Sequence, residues 1–273
     1  MKNRAELIQV SAAAVLVLAG CLPDDGRPEP GRIVLTIRAD ESLTAGLVTS
    51  DGWEIAYERF WLSLGEVRLL GDDHCRPYAE GDYLRVLDMR SAGPQTVNTS
   101  YALGRCELGF QLRAPSKDAV LGAGVDEDTR AFMREIGSDA VVQNAGVVLH
   151  VAGTAIRDET TLSFAWSFRQ ALDYLCEIVT FEGGERQTLG IGLLGGALFR
   201  AAGDGDGAAA ELEFDVFAEA DENEDGEISL AELAGVPHGA GGGTLAEALY
   251  RERVPELLRF EGRRCFVGEL HEE

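Results

Sequence analysis

The chain is expected to be mainly β: an antiparallel β-sandwich followed by a C-terminal α-helical appendage. Three observations predict this. Apolar and polar residues alternate with period 2 through much of residues 32–200, the pattern of strands with one buried and one wet face. The alternating runs are short and separated by turn signals, as in sandwiches. Past residue 205 the pattern changes to short capped segments around an acidic loop.

The N-terminus reads as an export signal over residues 1–20. Lys2 and Arg4 form a short basic region, diluted by Glu6. The apolar run Ile8 to Ala19 is too short to span a bilayer as a mature helix. It ends in Leu18-Ala19-Gly20-Cys21, which resembles the bacterial lipobox. The resemblance implies cleavage before Cys21 and lipidation of its thiol. It also implies an outer-membrane location, because Leu22 is not the aspartate associated with inner-membrane retention. Residues 21–31, rich in Pro, Gly and charge, read as a flexible tether.

Residues 32–205 form the expected β-sandwich domain. In "CELGFQLR", Cys106, Leu108, Phe110 and Leu112 alternate with Glu107, Gly109, Gln111 and Arg113. In "VVLHVAG", Val147, Leu149 and Val151 alternate with Val148 and His150, which places His150 on the wet face as a surface histidine. In "TLSFAWSF", Leu162, Phe164, Trp166 and Phe168 face inward, and Arg157-Asp158-Glu159 turns the preceding strand into this one. "IVLTIRA", "WEIAYERFWLSLGEVRLL", "YLRVLDM" and "QTLGIGLLGGALFR" add strands. One helix interrupts them, Asp126 to Ile136, with Phe132, Met133 and Ile136 on one face and Gly137 closing it.

Residues 206–273 hold the most specific motif. "DENEDGEISLAE" (221–232) places Asp221, Asn223, Asp225, Glu227, Ser229 and Glu232 at positions 1, 3, 5, 7, 9 and 12. Hard divalent cations such as calcium take six to eight oxygen ligands, and these positions supply them, Glu227 through its backbone carbonyl. Gly226 stands at position 6, where the chain turns with φ > 0. Ser229 is short enough to act through a water, and Glu232 long enough to chelate with both oxygens. Ile228 points away into a core. The stretch resembles the EF-hand family over residues 212–235, and the resemblance implies one bound Ca2+. On the entering side, Phe214 and Phe217 share a helical face, although period 2 also fits part of that segment as strand. On the exit side, Ser229 caps a short helix with Leu230 and Leu233, stopped by Gly235 and Pro237. EF-hands usually occur in pairs. A second loop at 201–213 has Asp204, Asp206, Gly207 and Glu213 in register but Ala202 and Ala210 at two ligand positions, and reads as a Gly/Asp hairpin loop. Further on, Thr244 and Glu247 make a capping box and Pro255 starts another short helix.

Composition narrows the function classes. The 273 residues carry 47 Asp and Glu against 24 Lys and Arg, a net charge of −23. That argues against nucleic acid and against adhesion to anionic membranes by charge, which leaves the lipid as the membrane contact. Between Arg200 and Arg251 there is no Lys or Arg, yet there are 13 acids; a bound cation relieves that repulsion. Besides Cys21, the even set Cys75, Cys106, Cys176 and Cys265 in an exported chain suggests two disulfides. Three connectivities are open, and proximity favours Cys75–Cys106 with Cys176–Cys265.

Enzyme motifs are missing: there is no G-x-S-x-G, H-E-x-x-H or P-loop. The reading is a non-enzymatic binding or interaction protein. His74 reads as loop, and Trp53, Trp61 and Trp166 as core. The sequon Asn98-Thr99-Ser100 is set aside because a lipobox implies a bacterium. The order "DGWEIAYERFWLSLGEVRL", "GDYLRVLDM", "YALGRCELGFQL", "GVVLHVAGTA" resembles the methanobactin-operon periplasmic protein family. That family is β-rich and exported, and some members bind copper through histidine and an oxidised tryptophan. The resemblance implies an alternative role in copper handling, or as an enzyme, with the site on the β domain. It assigns copper to no residue here.

Overall fold

A computed structural model describes residues 28–201, 211–238, 242–261 and 265–269. Residues 1–20, expected to be an export signal, Cys21 and the Gly/Asp stretch around Asp204 and Asp206 lie outside the described residues.

The expected mainly β fold is present, with a short C-terminal helical part. In chain order, β1 is Gly31–Ala39, α1 Ser42–Ala45, β2 Leu47–Val48, β3 Glu54–Leu70, β4 Cys75–Ala79 and β5 Gly81–Asp88. Next come β6 Gln95–Leu112, β7 Val120–Leu121, α2 Glu127–Met133, β8 Leu149–Arg157, β9 Thr160–Phe168, β10 Leu172–Phe181 and β11 Arg186–Leu193. The C-terminal part adds α3 Asp215–Ala218, β12 Glu227–Ile228, α4 Leu230–Leu233, β13 Pro237–His238, β14 Gly243–Thr244, α5 Leu245–Ala248, β15 Leu258–Phe260 and β16 Cys265–Glu269.

Among the described residues, fourteen strands join one hydrogen-bonded sheet, with a spine in the order β12-β9-β8-β3-β6-β1-β11-β15. The sheet curls because its longest strands change partner along their length. β3 pairs with β8 through its first half, from Glu54 to Leu62, then with β6 from Leu64 onward. Irregular register at Gly65 marks the change. A Cβ at Gly65 would come within 2.2 Å of the Tyr83 carbonyl, so only glycine lets the two strands close there. Alternation within a strand does not encode the direction of its neighbour, and the sheet is mixed: β1–β11, β5–β7 and β9–β12 pair in parallel.

The alternation read from sequence does bury the inward set. Leu108, Phe110, Leu112, Phe164, Trp166 and Phe168 are all buried. Each such side chain contributes roughly 1.5–3 kcal/mol on removal from water. The same core takes in Phe214, Phe217, Ile228, Leu233, Leu245 and Tyr250, while β15 and β16 pair with β11 and β10. The C-terminal segment is therefore built into the sheet, and the core runs continuously across residue 205.

Both disulfides take the pairing favoured by proximity. Cys75–Cys106 ties β4 to β6, and Cys176–Cys265 ties β10 to β16. The helix expected from Asp126 to Ile136 is shorter. Asp126 caps it by accepting from the Thr129 amide at 2.9 Å, Met133 is buried, and Ile136 lies beyond its end and is exposed. Asn98 is fully buried and donates to the Gly81 carbonyl at 3.2 Å, so the sequon asparagine is inaccessible.

Candidate metal centre

The acidic loop leaves α3, turns, runs briefly as β12 and enters α4. Its turn is held by its own side chains. Asp221 accepts from the Asp225 and Gly226 amides, each at 3.1 Å, and Asn223 Oδ1 from the Asp225 amide at 2.9 Å. Asp225 Oδ1 accepts from the Glu227 amide at 2.8 Å, and Asn223 Nδ2 donates to Asp225 Oδ2 at 3.0 Å. Gly226 sits at φ 79°, as position 6 requires. Glu224 is also left-handed, at φ 58°.

Ser229 caps α4 in a full capping box. Its Oγ accepts from the Glu232 amide at 3.2 Å, and Glu232 Oε2 accepts from the Ser229 amide at 2.8 Å. That uses one carboxylate oxygen. Glu232 Oε1 is buried and makes no hydrogen bond. A buried acceptor with no partner costs about 1–3 kcal/mol, more when charged. One carboxylate oxygen each from Asp221, Asp225 and Glu232 fall within 4.8 Å of one another. Three carboxylates converging on a common point, one with an orphaned oxygen, fit a hard cation. Of the six expected ligands, the fold thus brings these three together. Asn223 adjoins Asp225, Ser229 adjoins Glu232, and Glu227 sits in β12 beside Ser163.

The loop is fastened to the edge of the sheet. β12 pairs with β9, and the Ser163 amide and hydroxyl both donate to the Gly226 carbonyl, at 2.8 and 3.1 Å. Trp166 Nε1 donates to the Ile228 carbonyl at 2.8 Å, with Ile228 fully buried. Phe217 stacks on Trp166 at 5.5 Å between ring centroids. The entry turn is held from the other side. Asp51 Oδ2 accepts from the Phe214 and Asp215 amides at 2.7 and 2.6 Å. Partial burial works to raise the Asp51 pKa, but hydrogen bonds from the Thr49 side chain and those two amides outweigh it and hold the carboxyl below its ordinary value. Asp215 Oδ1 accepts from Trp53 Nε1 at 2.9 Å and from Arg157 at 2.5 Å, and Arg157 lies over the Trp53 ring.

A second feature escaped sequence reasoning. His150 was expected on a wet face; it is buried, because α2 lies across that part of the sheet. Its ring lies 5.2 Å from Trp61 and 4.9 Å from Phe132 between centroids, and Nδ1 is 2.9 Å from Ser167 Oγ. Burial, helped by the Arg59 charge, pushes its pKa down to about 4. His150, Trp61, Phe132 and Arg59 line a cleft of about 530 Å³ with Asp126 and Asp128. Trp61 itself is only half-buried, unlike Trp53 and Trp166.

The chain matches no protein-family model, no curated protein and no solved structure among those compared.

Proposed function

We propose that this is a lipid-anchored protein of the bacterial envelope that binds one calcium ion through residues 221–232, with the ion serving structure rather than signalling. One observation carries the calcium reading: Asp221, Asp225 and Glu232 converge, and Glu232 Oε1 is buried without a partner. A sensor needs an element that moves when the ion binds. Here the loop is pinned to β9, Trp166 and Asp51, which favours a fixed structural ion. The lipid anchor rests on the lipobox at Cys21; among the described residues no helix is long and apolar enough to cross a membrane.

A second reading, copper handling or catalysis on the β part, has one observation in its favour: the fold sets His150 against Trp61. Elemental analysis of the purified protein separates the two. The expected result is one calcium per chain and no copper. Stoichiometric copper with no calcium would reverse the order of the two readings.

A further inference from the structure

A cleft of about 1020 Å³ lies at the far end of α2 from the His150 cleft. Four cations line it, Lys117, Arg134, Arg169 and Arg251, and no aspartate or glutamate does. In a chain with a net charge of −23 and only 24 Lys and Arg in all, that is a local reversal of sign. We propose that this cleft binds a small organic anion, a phosphate monoester with an apolar body.

The cleft is built rather than merely decorated with surface charge. Arg169 is fixed in its wall: Nη1 donates to the Glu135 and Ala145 carbonyls at 2.9 and 2.6 Å. Its guanidinium lies flat against Gly137, where any Cβ would come within 2.7 Å of Nη2. A pre-positioned guanidinium loses little entropy on meeting an oxyanion, and its planar fork matches phosphate oxygens. The carboxylate of Asp139, close in sequence to the cleft-lining Val141 and Val142, is already engaged. Asp139 Oδ1 accepts from the Val141 and Val142 amides, both at 2.8 Å, and its Oδ2 accepts from the Tyr250 hydroxyl. Arg251 is mostly exposed and meets Glu247 only at 3.9 Å, a contact worth little against solvent. Arg134 and Lys117 are exposed. Val141, Val142 and Ile136 supply apolar wall, which fits the uncharged body of an ester better than a bare inorganic ion. A lipid headgroup carries the same phosphate chemistry, but the protein's overall negative charge opposes an anionic membrane surface.

Calorimetric titration of the full-length protein in calcium-containing buffer tests this. Phenyl phosphate is the probe, phenol the neutral control, and glycerophosphoglycerol the soluble headgroup of an anionic lipid. Phenyl phosphate should bind at least about tenfold more tightly than phenol, weaken as salt rises, and bind at least as tightly as glycerophosphoglycerol. Arg134→Glu with Arg251→Glu, both exposed, should weaken it by about tenfold or more with an unchanged melting temperature. Arg169→Lys, which keeps the charge but loses the fork, should weaken it by less. Equal binding by the charge-reversed variant, no binding at millimolar probe, or tighter binding of the lipid headgroup would overturn the proposal.

Discussion

At the residue scale, Glu232 does two jobs with two oxygens. Oε2 completes the cap of α4, while Oε1 is buried without a hydrogen-bond partner and is the oxygen proposed to meet the ion. Glu232→Gln separates them. Glutamine at this helix position can still close the capping box, but the site loses one charge, on which calcium affinity depends. Calcium binding measured by calorimetry should fall at least about tenfold, with little change in the calcium-free melt. An undiminished affinity would remove Glu232 from the site. His150 makes a different prediction. Its folded pKa is about 4, below the ordinary value near 6.5. Below 6.5 the unfolded chain binds a proton that the folded chain refuses, so stability falls as pH drops from about 6.5 to 4. The shift corresponds to roughly 3 kcal/mol at its full extent. His150→Gln, which cannot charge, should lose less stability than wild type between pH 7 and pH 4 in denaturant titrations. Parallel losses in the two proteins would mean that the ring protonates freely in the fold.

At the element scale, the two disulfides hold different distances in the chain. Cys75–Cys106 spans 31 residues and Cys176–Cys265 spans 89. Loop-closure entropy gives roughly 3.7 kcal/mol for the first and 4.6 kcal/mol for the second. Cys106 and Cys176 are equally buried, and their partners are half-buried. The Cys176→Ala/Cys265→Ala pair should therefore be less stable than Cys75→Ala/Cys106→Ala by about 1 kcal/mol in urea unfolding. The reverse order would show that strain or local packing outweighs chain entropy here.

Elements were also where the sequence was most and least legible. Period-2 runs such as "TLSFAWSF" located β9 and its inward face, because one side of that strand is wet. "VVLHVAG" misled at His150, because a helix more than ten residues away in sequence covers that face, and at Val148, which precedes β8 and joins the main core while Val147 packs with Met133 of α2; alternation cannot register a cover supplied from elsewhere. The acidic pattern of residues 221–232, from which Asp221, Asp225 and Glu232 converge, was legible because its members are local in sequence. The parallel β9–β12 pairing that fastens it, and the four cations gathered from Lys117 to Arg251, are tertiary juxtapositions with no local signature.

At the scale of the whole molecule, the acidity has a centre. The segment between Arg200 and Arg251 carries 13 acids and no Lys or Arg, and the candidate metal loop lies in it. That segment is also built into the shared core through Phe214, Phe217 and Ile228. Ordering the loop therefore bears on the stability of the entire fold, and a cation should raise it. At free calcium about ten times the dissociation constant, linkage gives roughly 1.4 kcal/mol. For a chain of this size that is on the order of 2–4 °C in melting temperature. Magnesium, which prefers a tight octahedral shell, should do much less. The most direct measurement is a thermal melt of the purified protein in calcium and in chelator, beside Asp221→Ala. The account predicts a calcium-dependent rise of a few degrees in wild type and none in the variant. Identical wild-type melts in the two buffers, with no calcium uptake by calorimetry, would contradict it.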